Sequence, residues 1–235
     1  MRRQSKKNPW RNTRNDFEIP WNKIYGITLI LSIPVLLFTI VPNIVLRANA
    51  FYSYFLSKTG IVREIPYAID KEDVCNTFVD FMLHKMQNFN LMEKEGYMPQ
   101  LVFTKMDNEI MSFTRSFLDI IAIIGIIAMV FAIVAIVKLY TNKKKDFLFD
   151  QFKISMIVTG IVLAIHSAII FIPSIRMNLF RGYFGSHFPP GDVLIQIFDA
   201  GFPIYYGASV IVVTIVLSLG IAYLMNKFVA RRKLF

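Results

Sequence analysis

The chain has 235 residues, 55% of them hydrophobic, and a mean hydropathy of +0.49. That balance excludes an ordinary soluble domain. The net charge of +10 invites a nucleic-acid reading, yet the basic residues flank long apolar stretches, where they read as topogenic charge beside anionic lipid.

Four stretches, 24–46, 117–140, 153–173 and 203–225, are long and apolar enough to cross a bilayer, which takes about 20 helical residues. The sequence therefore predicts an all-α polytopic membrane protein: four transmembrane helices and two outer-face loops containing amphipathic helices. The connecting pieces are a basic tail over 1–23, an outer loop over 47–116, a turn over 141–152, an aromatic-rich outer loop over 174–202 and a basic tail over 226–235. The tails and turn, with Lys138 and Lys153 beside them, hold 16 Lys/Arg against 4 acids, whereas the rest holds 10 against 12. By the positive-inside rule both termini are cytoplasmic and the two larger loops lie outside.

In chain order, the tail carries Arg2, Arg3, Lys6, Lys7, Arg11 and Arg14 with Trp10, and Trp21 follows at the headgroup level. Span one contains Pro34 and Pro42 and should bend. Ala48-Asn49-Ala50 after it resembles a signal-peptidase site, but the apolar core is too long for a signal peptide, so the span is read as uncleaved. In the first outer loop, Asp70 and Asp73 suggest a helix cap. Val74, Phe78, Met82, Met86 and Phe89 then form an apolar stripe that must pack on protein or lie on the outer leaflet. Asp80 and His84, four apart, read either as an acid/base pair or as a weak solvated pair. The single cysteine, Cys75, permits neither an intrachain disulfide nor a zinc motif.

Thr104 and Asp107 mark a helix start. From there Glu109, Ser112, Ser116 and Asp119, with Arg115 beside them, fall within about a third of the helix circumference. A charged stripe at the mouth of a span is a candidate functional site. Span two bears Ala122, Gly125, Ala128, Ala132 and Ala135 on one side, and span three bears Gly160, Ala164 and Ala168, so these two seams are expected to meet in a hairpin. Ser155, Thr159 and His166 lie opposite, and His166 reads as a functional group or as a donor to a neighbouring helix. The second outer loop crowds Phe180, Tyr183, Phe184, Phe188, Phe198 and Phe202 around Arg176, Arg181 and His187, with a turn at Pro189-Pro190-Gly191-Asp192.

Several pieces resemble the bacterial lipoprotein intramolecular transacylases, the Lit proteins: Phe51-Tyr52 with Glu72-Asp73-Val74; Phe103-Thr104 with Asp107, Met111 and Arg115; and Phe180-Arg181 to Phe184 with Leu194-Ile195 and Pro203. The resemblance covers most of the chain and implies a multi-pass protein of the bacterial cytoplasmic membrane that moves an acyl chain on a lipoprotein. It also implies a pair of motif histidines as acid and base. Ile110 and Arg181 stand at those positions, and Phe113 stands where an aspartate is expected. Isoleucine cannot transfer a proton and arginine stays protonated.

Two functions follow. The first is a non-enzymatic module of transacylase-like architecture that binds a membrane lipid, a lipidated protein or another membrane protein at the outer leaflet. Glu109, Ser112, Arg115, Asp119 and Arg181 are its ligand-binding candidates. The second is an acyl-transfer enzyme with a rearranged set, His187 or His84 as base and Ser112 or Ser116 nearby. Transport has little support. No metal, cofactor or nucleic-acid motif stands out.

Overall fold

The structure is a computed structural model that describes residues 20–94, 100–176, 178 and 192–230. The basic tail with Trp10, and the part of the expected second outer loop that holds Phe180, Arg181, Tyr183, Phe184, His187 and Phe188, lie outside the described residues. Among the described residues the α-helices with defined bounds are, in order, α1 (Trp21–Leu46), α2 (Asn49–Thr59), α3 (Lys71–Met82), α4 (Lys105–Thr141), α5 (Lys145–Phe171), α6 (Val193–Asp199) and α7 (Phe202–Met225). Helices α1, α4, α5 and α7 are each long and apolar enough to span a membrane, and the chain is a multi-pass, all-helical membrane protein. With 37 residues, α4 is about 55 Å long, against a hydrocarbon core of about 30 Å, so its first turns project beyond the core.

The central helix is α1, which packs along α4 and also touches α5 and α7, while the α4–α5 hairpin itself is thinly packed. The expected meeting of the span-two and span-three seams is therefore not made. Gly125, Ala128, Ala132 and Ala135 are buried, and a Cβ on Gly125 would stand 2.5 Å from Thr39 Oγ1 and 2.8 Å from Ile40, both on α1. Gly160, Ala164 and Ala168 are exposed instead. Pro34 explains the choice of face. Its ring removes a helix N–H and frees the carbonyl of Ile30, and Ser155 on α5 donates to that oxygen at 3.2 Å. In lipid an orphaned carbonyl needs such a donor, so the polar side of α5 turns to α1. Asn43 likewise joins α1 to α4, donating to Leu118 O at 3.0 Å.

Two apolar clusters result. One joins Leu29, Ile33 and Leu37 to Ala132, Leu139, Leu148 and Phe152. The larger sits at the opposite ends of the spans, where α2, α3 and α6 close over α1, α4 and α7. Helix α2 ends at Gly60, whose φ of 66° suits a residue without Cβ. Asp70 stands at the N-cap of α3 but bonds Lys94 rather than the helix amides. Of the two options for the α3 stripe, packing on protein is realised: Val74, Phe78, Phe81 and Met82 are all buried. The helix stops at Met82, before the stripe ends, and His84 turns the chain with a φ of 60°.

Candidate functional site

Between α1, α4 and α7, roofed by residues of α2, α3 and α6, lies a cavity of about 470 Å³. Its wall is almost wholly hydrocarbon: Phe38 and Pro42 on α1, Phe78 and Met82 on α3, Met111 and Leu118 on α4, with Phe198 and Phe202 closing the far side. The hydroxyls on this wall include two already in use. Tyr52 donates to Leu46 O at 2.9 Å and Thr114 donates to Ile110 O at 2.9 Å. A wall of this kind suits an acyl chain better than a polar metabolite.

Three of the lining residues stand next to charged ones in sequence. Leu46 precedes Arg47, Leu118 precedes Asp119, and Met82 lies two before His84. The fold gathers those polar neighbours into one group. Arg47 Nη2 donates to Asp119 Oδ1, and His84 Nε2 lies 2.9 Å from Asp119 Oδ2. His84 is more than half exposed at its side chain (55%), so the second ring nitrogen can reach a ligand. Arg47 holds the carboxylate and the carboxylate orients the imidazole, an arrangement that binds a polar headgroup or positions a base.

The other sequence candidates fare differently. Asp80 pairs with Lys85 at 2.9 Å rather than with His84 four residues on. Arg115 joins no carboxylate among the described residues. Its guanidinium donates to Phe81 O at 3.3 Å and Met86 O at 3.1 Å, and stacks 4.1 Å from the Phe81 ring centroid, so it ties α4 to the end of α3. Glu109 is exposed and 4.0 Å from Lys105. Ser112 is half-buried with no side-chain hydrogen bond among the described residues, and Ser116 is exposed. His166 lies 6.3 Å from the Phe38 ring, and its Nε2 is buried without a partner among the described residues. Arg181 and His187 fall outside the described residues.

Sequence reasoning missed Arg47, and it missed a carboxyl pair. Asp107 is fully buried and makes the expected capping box: Thr104 N donates to its Oδ2 at 2.8 Å, and its own N–H donates to Thr104 Oγ1 at 3.2 Å. Asp192, read only as part of a turn, caps α6 by accepting from Leu194 N at 3.0 Å and Ile195 N at 3.2 Å. The two carboxyls lie within hydrogen-bonding reach of each other. Asp107 stands in the projecting first turn of α4, and burial, with the charge of Asp192 as a lesser cause, pushes its carboxyl up to about 7. The signal for Arg47 was a charge directly after a span, which the positive-inside count absorbed.

No protein-family model matches the sequence, and no curated protein does either. Among solved structures, the chain is similar to the membrane integral lipoprotein intramolecular transacylase Lit from Bacillus cereus. The TM-score is 0.68 at 16% identity, over 91% of this chain and 97% of that one. The same Bacillus cereus protein with one histidine replaced by arginine matches at 0.67 and 16% identity, over 91% and 94%. With alanine in that place it matches at 0.68 and 15% identity, over 92% and 96%. The fold is Lit-like. The shared topology extends over nine-tenths of both chains.

Proposed function

We propose that this protein binds the acyl chain of a lipid or a lipidated protein at the outer leaflet, on a Lit-like scaffold with both termini in the cytoplasm. The observation that carries the reading is the hydrocarbon-walled cavity with Arg47, Asp119 and His84 beside it. Apolar burial favours a chain in the cavity at about 25 cal/mol per Å², while the charged group beside it supplies hydrogen bonds for a headgroup. In this reading Ile110 and Arg181 stand where the resemblance expects histidines, which a binding site tolerates.

The test is photolabelling of the full chain in liposomes with a diacylglycerol carrying a diazirine near one acyl terminus. Adducts on Met82, Met111 or Phe198, lost in Leu118→Trp, are the expected result. Adducts confined to lipid-facing positions such as Ile123 and Ile127, and unchanged by Leu118→Trp, would overturn it.

A second reading has its own observation, the 2.9 Å contact between His84 and Asp119. A carboxylate on one imidazole nitrogen fixes the ring and leaves the other nitrogen to face a substrate, and a positioned base is worth about 10²–10⁴ in rate. Mass spectrometry of a co-expressed lipoprotein bearing a diacylglyceryl cysteine separates the two. An N-acylated lyso-form that disappears in His84→Ala supports acyl transfer; unchanged lipid supports binding alone.

A further inference from the structure

The walls of the cavity come from two separate stretches of chain. Met111 and Leu118 follow the first turn of α4, and Phe198 and Phe202 follow from α6. The two stretches meet where Asp107 opens α4 and Asp192 opens α6, with residue exposures of 0% and 5%. Each aspartate uses one oxygen on its own helix. Oδ2 of Asp107 takes Thr104, and Oδ1 of Asp192 takes two α6 amides. The remaining oxygens, Asp107 Oδ1 and Asp192 Oδ2, are buried and find no donor among the described residues.

Carboxylates are acceptors only, and two ionised ones in a dry site repel. One proton removes both difficulties, because a protonated carboxyl donates to its ionised neighbour. Among the described residues, no other charge is in position to do so. Lys105 and Glu109 on α4 face outward, Lys94 on the preceding connection holds Asp70 and Asp73, Arg115 bonds the α3 carbonyls, His84 holds Asp119, and Asp199 at the end of α6 is exposed.

We propose that Asp107 and Asp192 share one proton and so clamp α6 to the start of α4, closing the cavity while the proton is held and loosening it when the proton is lost to water. The proposal rests on the lipid-binding reading for what the clamp controls. Val193, Leu194, Ile197 and Phe198 are buried in the same outer cluster, so a shift of α6 moves the Phe198 and Phe202 side of the cavity.

The sign is fixed by the direction in which the fold moves the carboxyl. A carboxyl raised in the folded protein binds its proton more tightly there than in the unfolded chain. Its stabilising effect is therefore full below the usual carboxylate range, falls as pH rises towards about 7, and is gone above it. Ligand release should follow the same proton.

The experiment uses the full chain in nanodiscs, with a pyrene-labelled diacylglycerol as the probe. Release is timed at about pH 5.5 and about pH 8.5, on either side of the transition. The wild type should release roughly thirty-fold faster at the higher pH, because release goes through the ionised form and the ionised fraction of a carboxyl near 7 rises from about 3% to about 97% between the two conditions. Asp107→Asn should release slowly at both, because an amide donates to the Asp192 carboxylate without titrating. Infrared difference spectra between the same two conditions should show a protonated-carboxyl band that is lost at high pH and missing in Asp107→Asn and in Asp192→Asn. Equal release rates at both pH values, or a band untouched by both substitutions, overturns the clamp. Should a variant not fold, the wild-type release and band decide alone, since absence of either counts against it. A probe that binds at neither pH removes the lipid-binding reading instead, and the infrared band then still decides the shared proton.

Discussion

Arg115 was a ligand-binding candidate on sequence grounds, and its surroundings give it another occupation whose size can be worked out. The guanidinium makes two hydrogen bonds to carbonyls around the end of α3, at 3.1 and 3.3 Å, and stacks on Phe81. A hydrogen bond to a charged group contributes about 1.5–3 kcal/mol, and the longer of these two belongs at the low end. Stacking adds about 0.5–1 kcal/mol and the helix C-terminus about 0.3–1 kcal/mol. Because the contacts share one group they do not add fully, and about 3 kcal/mol is the expected loss in Arg115→Met, which keeps the apolar stem. Arg115→Lys, retaining one charge but no planar fork, should lose about half of that. For a chain of this length 1 kcal/mol is worth roughly 2–4 °C, so Arg115→Met should melt roughly 6–12 °C below the wild type in detergent. Diacylglycerol photolabelling, measured below the melting temperature, should change little. An unchanged melting temperature with photolabelling abolished would refute the reasoning and return Arg115 to the ligand site.

Two further outcomes are expected elsewhere in the fold. Gly125→Val should cost about 1–3 kcal/mol by overpacking, read as a lower melting temperature, because its Cβ would press on Thr39 and Ile40 of α1. Gly160→Val, where an added Cβ would meet nothing within 4 Å, should melt close to the wild type and so serves as the control. Cys75 is buried, and burial pushes its thiol up, away from the reactive thiolate. A membrane-impermeant maleimide on intact cells should therefore leave it unlabelled, and labelling should appear from the outer side only after partial unfolding. A cytoplasmic signal from a reporter fused after Gly60 would contradict the proposed topology.

The spans were legible because hydropathy is a one-dimensional property, and four apolar stretches of sufficient length admit few alternatives in a bilayer. Their neighbours were not. A stripe such as Gly125, Ala128, Ala132 and Ala135 says which face of a helix is closely approached but carries no address for the partner. The deciding information sat in span one, where Pro34 exposes the Ile30 carbonyl that Ser155 then satisfies. That contact links residues 125 apart, and periodicity within either helix cannot register it.

The site divides along the same line, and carboxyl chemistry explains where. Each aspartate offers two oxygens. Local pattern accounted for one of them in Asp107, whose capping box with Thr104 was readable from the spacing. The second oxygen depends on whatever the fold brings near it, here Asp192 at the head of another helix. His84 makes the same point from the backbone side. Its pairing with Asp80 assumed that helical spacing continued, but α3 ends at Met82 and a positive φ at His84 turns the ring away. Once the 3.6-residue period is broken, four positions of separation no longer mean one face. Asp80 then takes the adjacent Lys85, and His84 is free to reach Asp119, 35 residues further on and already held by Arg47. A non-glycine residue at positive φ is uncommon, and here the turn at His84 carries the ring to the polar group beside the cavity. The break in periodicity that hid the pair from sequence reading is thus the feature that builds it.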